Sequence, residues 1–350
     1  MNLLIVVVMA VAALAISTLF TRRFCHPDSV VYILDHPNER SLHDRPVPRG
    51  GGLAILIALG VCGAAAAFFY PARGLAGMGL GVLIVAVVSF IDDRHSVTPA
   101  GRLVAHVAAS AAIVYSGYFL HGLEIPGMSW DWPPIVGAVL SAVFIVWMIN
   151  LYNFMDGMDG FAGGMAVFGF GTFAVMGWTA GHDAFLAVSL IIAAASAGFL
   201  FFNFPPARIF MGDVGSSTLG LLAATLSLWG ARDGIFPFWI ALLVFSPFIV
   251  DATVTLFRRL LRGDKIWQAH KTHFYQRLVQ AGWGHRKTVL WEYALMAACA
   301  GSAIWVVRQT ETVQWWTIGF WTMVYALLIA MVRRLEAGNL RDRKRAGPSP

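Results

Sequence analysis

Five aspartates lie in three short segments that are otherwise apolar or rich in glycine. They are Asp92 and Asp93 in SFIDDRHSVTPAGR, Asp156 and Asp159 in NLYNFMDGMDGFAGG, and Asp213 in NFPPARIFMGDVGSS. Carboxylates with few lysines beside them repel one another, and partial burial raises their pKa values unless a cation is present. A hard divalent cation answers both problems, because Mg²⁺ takes oxygens from one or two carboxylates and fills its other positions with water and phosphate oxygens. Any one of these aspartates alone reads as a solvated loop carboxylate; three acidic, glycine-rich segments together argue for a shared site. The glycines around them (Gly157, Gly160, Gly163, Gly164, Gly212, Gly215) permit tight turns and leave backbone N–H groups for phosphate. Ser216 and Ser217 are placed to cap a helix whose positive end would face the same site.

Two further segments carry the matching positive charge. SLHDRPVPRGGG offers His43, Arg45 and Arg49, and GDKIWQAHKTHFYQRL offers His270, Lys271, His273 and Arg277. His270 and His273 are three apart, so on a helix they would share a face. That spacing could also hold zinc, but no cysteine or second histidine pair accompanies it, and contact with lipid headgroups is the plainer reading of the loop taken alone. Cation-binding carboxylates, phosphate-binding glycines and basic side chains together suit phosphoryl chemistry between a water-soluble phosphate donor and a lipid acceptor.

The elements that must position these residues are membrane helices. Of 350 residues, 58% are hydrophobic and 13% charged, with a mean hydropathy of +0.68; a soluble domain carries about 25% charged residues. Too few charges remain to coat a soluble protein, and disordered, collagenous and disulfide-rich secreted classes are excluded. Cys25, Cys62 and Cys299 show no metal-like spacing. A crossing needs about 20 mostly apolar residues. Eleven such runs are expected, near 2–20, 51–70, 74–91, 103–120, 134–152, 161–180, 185–202, 214–231, 236–257, 288–307 and 313–332. The first lacks a positive leader and is followed by Arg22 and Arg23, so it reads as an anchor with its N-terminus outside.

Alternating from that start, one set of loops holds 21–50, 92–102, 153–160, 203–213, 258–287 and the tail. The opposite set contains only Arg73, Arg232 and Arg308 as cations. The excess of Lys and Arg assigns the first set, and with it every acidic segment, to the cytoplasm. Residues 28–40 could lie along the interface, the basic, aromatic 258–287 loop is expected to hold an interfacial helix, and the basic tail 334–350 reads as a frayed cytoplasmic end. No soluble domain and no repeat interrupts what reads as one transmembrane domain over 1–350, an all-α polytopic protein with its cleft facing the cytoplasm.

At these residues the sequence strongly resembles the bacterial polyprenyl-phosphate N-acetylhexosamine-1-phosphate transferases. The match runs in the family's order over about 41–280: HDRPVPRGGGLAI, FIDDR, NFMDGMDGFAGG, NFPPARIFMGDVGS, then the histidine loop. The resemblance implies ten or eleven helices around a cytoplasmic cleft in the bacterial inner membrane. It implies Mg²⁺ as cofactor, with Mn²⁺ able to substitute. The partners it implies are a UDP-N-acetylhexosamine as donor, undecaprenyl phosphate as acceptor, the bilayer itself and no nucleic acid; a homodimer is left open.

Residue by residue, Asp92 and Asp93 match the family's paired catalytic aspartates, one of which positions or deprotonates the lipid phosphate. Because a phosphate ester has a second pKa of about 6, little deprotonation is needed and either role fits. Asp213 matches the principal Mg²⁺ ligand. Asp156 and Asp159 match the acidic pair that shapes the metal and nucleotide site, Asp159 on the uracil side. Asn153 and Asn203 match asparagines lining that cleft, and His43 and Arg49 match the first-loop motif. His273 matches the first histidine of the loop near the donor phosphates, with His270 and Arg277 beside it as donor contacts. Relatives often carry H-x-H-H in this loop. Here the run is His273-Phe274-Tyr275-Gln276-Arg277, which resembles the branch that begins O-antigen or related surface polysaccharides. That branch suggests GlcNAc, GalNAc or a deoxy sugar such as FucNAc. One-step attack and a covalent aspartyl-phosphate intermediate both fit.

Two other classes make different demands. A secondary transporter places charges in mid-helix near broken helices, whereas only Glu292 and Asp251 lie within apolar runs here. Aromatic prenyltransferases and CDP-alcohol phosphotransferases use D-D-x-x-D and D-G-x-x-A-R motifs, and Asp92-Asp93 is followed instead by Arg94, His95 and Ser96.

Overall fold

A computed structural model describes residues 3–29, 31–37, 42–264 and 271–346, with side chains as far as Glu336. Thirteen α-helices account for most of these residues: α1 (Leu3–Phe24), α2 (Gly51–Phe69), α3 (Leu75–Arg94), α4 (Pro99–Tyr115), α5 (Pro134–Phe154), α6 (Phe161–Thr179), α7 (Asp183–Asn203), α8 (Asp213–Arg232), α9 (Phe238–Val244), α10 (Ser246–Leu261), α11 (Phe274–Leu278), α12 (Gly284–Val306) and α13 (Glu311–Ala346). Among the described residues nine helical stretches are long and apolar enough to cross a membrane, and the bent pair α9–α10 makes ten. The chain is an all-α polytopic membrane protein.

The eleventh expected crossing is α4, which has 17 residues. It is short, but it runs the depth of the bundle. At its start Arg102 reaches Asp92 at the end of α3. Just past its other end the Tyr118 hydroxyl donates to the Arg73 carbonyl (3.0 Å), and the Tyr118 ring packs against Trp229 near the far end of α8.

Helix α8 is the axis of the fold, buried continuously from Val214 to Gly230. Lipid tails are as apolar as leucine, so close packing rather than water exclusion must hold membrane helices together. Small residues permit it. A Cβ on Gly220 of α8 would sit 2.5 Å from the Met148 carbonyl of α5, and one on Gly198 of α7 would sit 2.6 Å from the Leu14 carbonyl of α1.

The structure departs from expectation in five places. The run 236–257 is not one straight crossing: α9 and α10 meet at 82°, where Pro247 removes a backbone donor and obstructs a continuous helix. A broken helix is therefore present, although Asp251 beyond it is taken up by the neighbouring loop, as described below. The segment around 28–40 contributes β1 (Ile33–Asp35), which pairs antiparallel with β2 (Val47–Arg49). A second hairpin, β3 (Gly122–Ile125) with β4 (Met128–Asp131), fills the 121–133 connection. The tail is helical rather than frayed as far as Ala346. Within 258–287 the only described helix wholly inside the loop is α11, followed by a π-turn over Val279–Trp283 that kinks at Gly282.

Candidate active site

The N-terminus of α8 meets the ends of α2, α3 and α5 at one end of the bundle. Its first turn begins at Gly212, whose φ of +76° suits a residue without a Cβ. A Cβ there would also approach Asp93 to 2.9 Å. The cap is not Ser216 or Ser217 but a side chain more than a hundred residues earlier. Asp93 Oδ1 accepts from the Asp213 amide (3.1 Å) and Asp93 Oδ2 from the Val214 amide (3.2 Å). An anion at a helix N-terminus satisfies orphan donors and complements the helix dipole. Ser216 instead accepts from Asn153 and donates back to the Gly212 carbonyl.

Gly215, one of the glycines expected to suit phosphate, serves packing. A Cβ on Gly52 would lie 2.3 Å from the Gly215 nitrogen, and one on Gly215 would lie 2.7 Å from Gly52 Cα, so α2 and α8 touch backbone to backbone. The amides of Gly50 and Gly51 donate to the Phe210 carbonyl and that of Gly52 to the Met211 carbonyl. The three-glycine run thereby ties the start of α2 to the segment that leads into α8.

A cleft of about 190 Å³ opens at this junction. It is lined by His43, Arg49, Asp93, Asp156, Asp159, Asn203 and Asp213, all expected from the sequence, and also by Asp35, Gln276 and His285. The paired aspartates separate into different tasks. Asp92 accepts from the Val97 amide (2.7 Å) and from Arg102 (3.1 Å) and shapes the α3–α4 turn, whereas Asp93 faces the cleft. Arg102 also lies 3.9 Å from Asp213 Oδ2, and Asn153 donates to Asp213 Oδ1 (2.9 Å). Asp213 is thus fixed on one oxygen by an amide and approached on the other by a cation. Arg49 bridges Asp35 and Asp93. The Asp156 carboxyl is pushed well above the usual carboxylate range by desolvation and by the charges of Asp213 and Asp93. These carboxylates form a site short of positive charge.

Asp159 accepts from the Ala207 amide (2.9 Å) and lies 3.1 Å from His285 Nδ1, while His285 Nε2 lies 3.2 Å from the Leu42 carbonyl. His285 therefore links the acidic loop to the first loop across the cleft. Asn203 lines the cleft, but both of its amide ends are used: Oδ1 accepts from Gly160 and Nδ2 donates to the Ile209 carbonyl, each at 2.9 Å. It clamps two loops together. His43 packs edge-on against Phe210.

The last loop departs from expectation. His273 is not among the lining residues; it is buried, with Nδ1 3.1 Å from Asp251 Oδ1. The Asp251 carboxylate also accepts from the amides of Phe274 (2.9 Å) and Tyr275 (3.1 Å), so it caps α11. His273 is the residue before that helix; His270 lies outside the described residues. Arg277 points away from the cleft and is bound by Glu336 of α13. Of the HFYQR run, Gln276 reaches the cleft, while the buried Tyr275 donates to the Phe154 carbonyl (3.3 Å).

Sequence reasoning missed Asp35, Arg102, Asp251 and His285 as parts of this assembly. Asp251 alone carried a signal, as one of two acids inside apolar runs; the others become significant only through partners distant in the chain. Among the described residues no group of three or more His, Cys, Asp or Glu side chains forms a ready-made metal cage. Mg²⁺ needs none, since it usually keeps several waters and one or two carboxylates suffice. Asp213 and Asp156, both oxygen donors on one cleft and short of countercharge, fit such an ion.

Carboxylates, Arg49 and two histidines gathered beside a capped helix start are groups that phosphoryl-transfer chemistry uses. The glycosyl transferase family 4 profile matches residues 75–231. The chain is 32% identical over 319 residues to the probable undecaprenyl-phosphate N-acetylglucosaminyl 1-phosphate transferase of Bacillus subtilis (strain 168), covering 89% of this chain and 86% of that protein. It is 28% identical to the decaprenyl-phosphate N-acetylglucosaminephosphotransferase of Mycobacterium tuberculosis (79% and 78% covered). It is 31% identical to the phospho-N-acetylmuramoyl-pentapeptide-transferase of Heliobacterium modesticaldum (73% and 82% covered). The chain belongs to the polyprenyl-phosphate hexosamine-1-phosphate transferase family.

Proposed function

We propose that the protein transfers N-acetylhexosamine-1-phosphate from a UDP-sugar to undecaprenyl phosphate, releasing UMP and starting a cell-surface glycan. The observation that carries this reading is the convergence of Asp93, Asp156, Asp213 and Arg49 on one cleft. N-acetylglucosamine is the first choice of sugar, because two of the relatives are named for it. O-antigen or a related surface polysaccharide is the pathway suggested by the HFYQR loop.

In this reading an oxygen of the lipid phosphate forms a bond to the β-phosphorus of the donor. The bond from that phosphorus to the bridging oxygen breaks, and UMP leaves with that oxygen. Asp213 and Asp156 would hold Mg²⁺, with Mn²⁺ able to replace it; when bound, the cation supplies charge neutralisation for the diphosphate. Asn153 fixes the orientation of Asp213. Arg49 offers a cation to phosphate oxygens at the mouth of the cleft, next to Asp93. Asp93 keeps the α8 start and Arg49 in place, a positioning role that also suits a lipid phosphate already largely ionised. His285 and Asp159 brace the nucleotide side. His273 acts through the loop it holds rather than by touching the donor.

The cleft shares its end of the bundle with Arg49 and Arg102, and on the positive-inside rule it faces the cytoplasm of the bacterial inner membrane, with the N-terminus on the other side. The test is to offer purified protein a panel of UDP-sugars with undecaprenyl phosphate and Mg²⁺, and to follow UMP and the lipid product together. Equal release of UMP and formation of sugar-diphospholipid with one UDP-N-acetylhexosamine is expected. UMP release with no lipid product would refute the acceptor.

A further inference from the structure

On the side of α11 away from the cleft, the last turns of α10 and the C-terminal third of α13 border a second pocket of about 260 Å³. Its charged lining consists of Arg258, Arg259, Arg262, Lys271, Arg277 and Glu336, five cations against one carboxylate among the described residues. Helix α11 divides the two sites: Gln276 faces the carboxylate cleft, and Arg277, the next residue, faces this pocket.

The positive charge is built in. Arg277 is 7% exposed. Its Nε and one terminal nitrogen are held by Glu336, and its guanidinium lies over the Phe274 ring (4.9 Å), with Arg258 near the same ring (5.5 Å). Its remaining nitrogen, Nη1, is buried with no hydrogen-bond partner. An orphaned donor on a buried guanidinium is costly unless something accepts from it. Arg259 is also 7% exposed, with Asp264 at 3.7 Å. Glu336 answers Arg277 and Asp264 stands near Arg259, so among the described residues the pocket keeps an excess of positive charge and an orphaned Arg277 donor, and a ligand with several anionic oxygens answers both. Phe257, Leu260 and Leu261 on α10 are exposed beside the arginines, so apolar surface borders the charged pocket as it would at a membrane interface.

We propose that this pocket binds a phosphate group, as presented by an anionic phospholipid headgroup, separately from the donor and acceptor of the transfer reaction. Arg277 Nη1, Arg258 and Arg262 grip the phosphate oxygens, and Glu336 competes for Arg277. The proposal does not depend on the reaction assigned to the carboxylate cleft.

The test uses the full-length protein in nanodiscs of phosphatidylcholine alone or with added phosphatidylglycerol, and in phosphatidylcholine with inorganic phosphate, reading thermal unfolding and retained lipid by native mass spectrometry. Stabilisation is expected from phosphatidylglycerol. If inorganic phosphate matches it, the occupant is a soluble phosphate in the same pocket. The variant Arg258→Gln/Arg262→Gln should weaken the response by about 30-fold in half-saturating concentration, taking roughly 1 kcal/mol per cation near a charged surface. Arg22→Gln/Arg23→Gln, which removes as many charges at a distance from the pocket, should keep it. Glu336→Gln should strengthen it, since a competitor for Arg277 is gone, whereas a merely structural ion pair would lose stability and gain no affinity. The proposal is overturned if neither phosphate source stabilises the protein, if both double variants lose the response equally, or if Glu336→Gln binds no tighter.

Discussion

Asp93, at the end of α3, holds the first two amides of α8 at 3.1 and 3.2 Å, so α8 starts on a carboxylate carried by α3. The first residue of α8 is Asp213. Asp93 therefore sets where Asp213 sits, as well as placing a charge of its own on the cleft.

Asp93→Asn separates these duties. Asparagine remains a good cap, so thermal stability should fall by no more than about 1 kcal/mol. Turnover should drop at least about 100-fold, because the neutral amide no longer holds Arg49 and the phosphate site shifts. Steady-state assay beside a thermal melt of the same preparation checks both. Near-normal turnover would remove Asp93 from the chemistry.

Arg102 stands 3.9 Å from Asp213 Oδ2, where it competes with any divalent cation. Arg102→Gln should therefore tighten Mn²⁺ binding by a few-fold, on the order of 0.5–1 kcal/mol for a partly exposed pair. Because Arg102 also holds Asp92, turnover does not isolate this effect, and the readout is calorimetric binding. Weaker binding in the variant would assign Arg102 to orienting Asp213 instead.

The raised pKa of Asp156, caused by desolvation and then by Asp213 and Asp93, fixes a sign. Above the ordinary carboxylate range the unfolded chain has lost this proton while the folded one retains it, so cation-free stability falls as pH rises through that window. A divalent cation, which favours the ionised form, should stabilise more at pH 8 than at pH 5. Melting curves with Mg²⁺ or with chelator at both pH values test this. A cation effect independent of pH would place the ion away from Asp156.

Asp251 anchors the last loop through His273 and two amides. Asp251→Ala leaves a buried histidine and two buried donors unanswered and should cost about 3 kcal/mol, seen as a lowered melting temperature. Asp251→Asn should cost less. If both melt like the parent, the loop is held by other means.

Much of the site was readable from residue types alone. The three acidic segments do converge, because each stands at the same end of a membrane helix and alternation of crossings forces those ends together. What stayed hidden was pairing over distance. Nothing near Asp93 says that it caps α8, and nothing near Arg277 says that its partner is Glu336 rather than a substrate. Gly215 was expected to leave its backbone open for phosphate, but it packs against Gly52, and the run at 50–52 is tied to Phe210 and Met211. The break at Phe245 escaped notice because α9 and α10 are both apolar enough to read as one crossing, and only Pro247 hinted otherwise. The hairpin β1–β2 was missed because its strands are three residues long.

The most direct measurement is Mn²⁺ binding by electron paramagnetic resonance with UDP-N-acetylglucosamine present, in the parent protein and in Asp213→Asn. A bound ion coupled to donor phosphorus is expected in the parent, with affinity reduced by about 10-fold or more in the variant. Equal Mn²⁺ affinity and the same phosphorus coupling in both proteins would contradict that expectation.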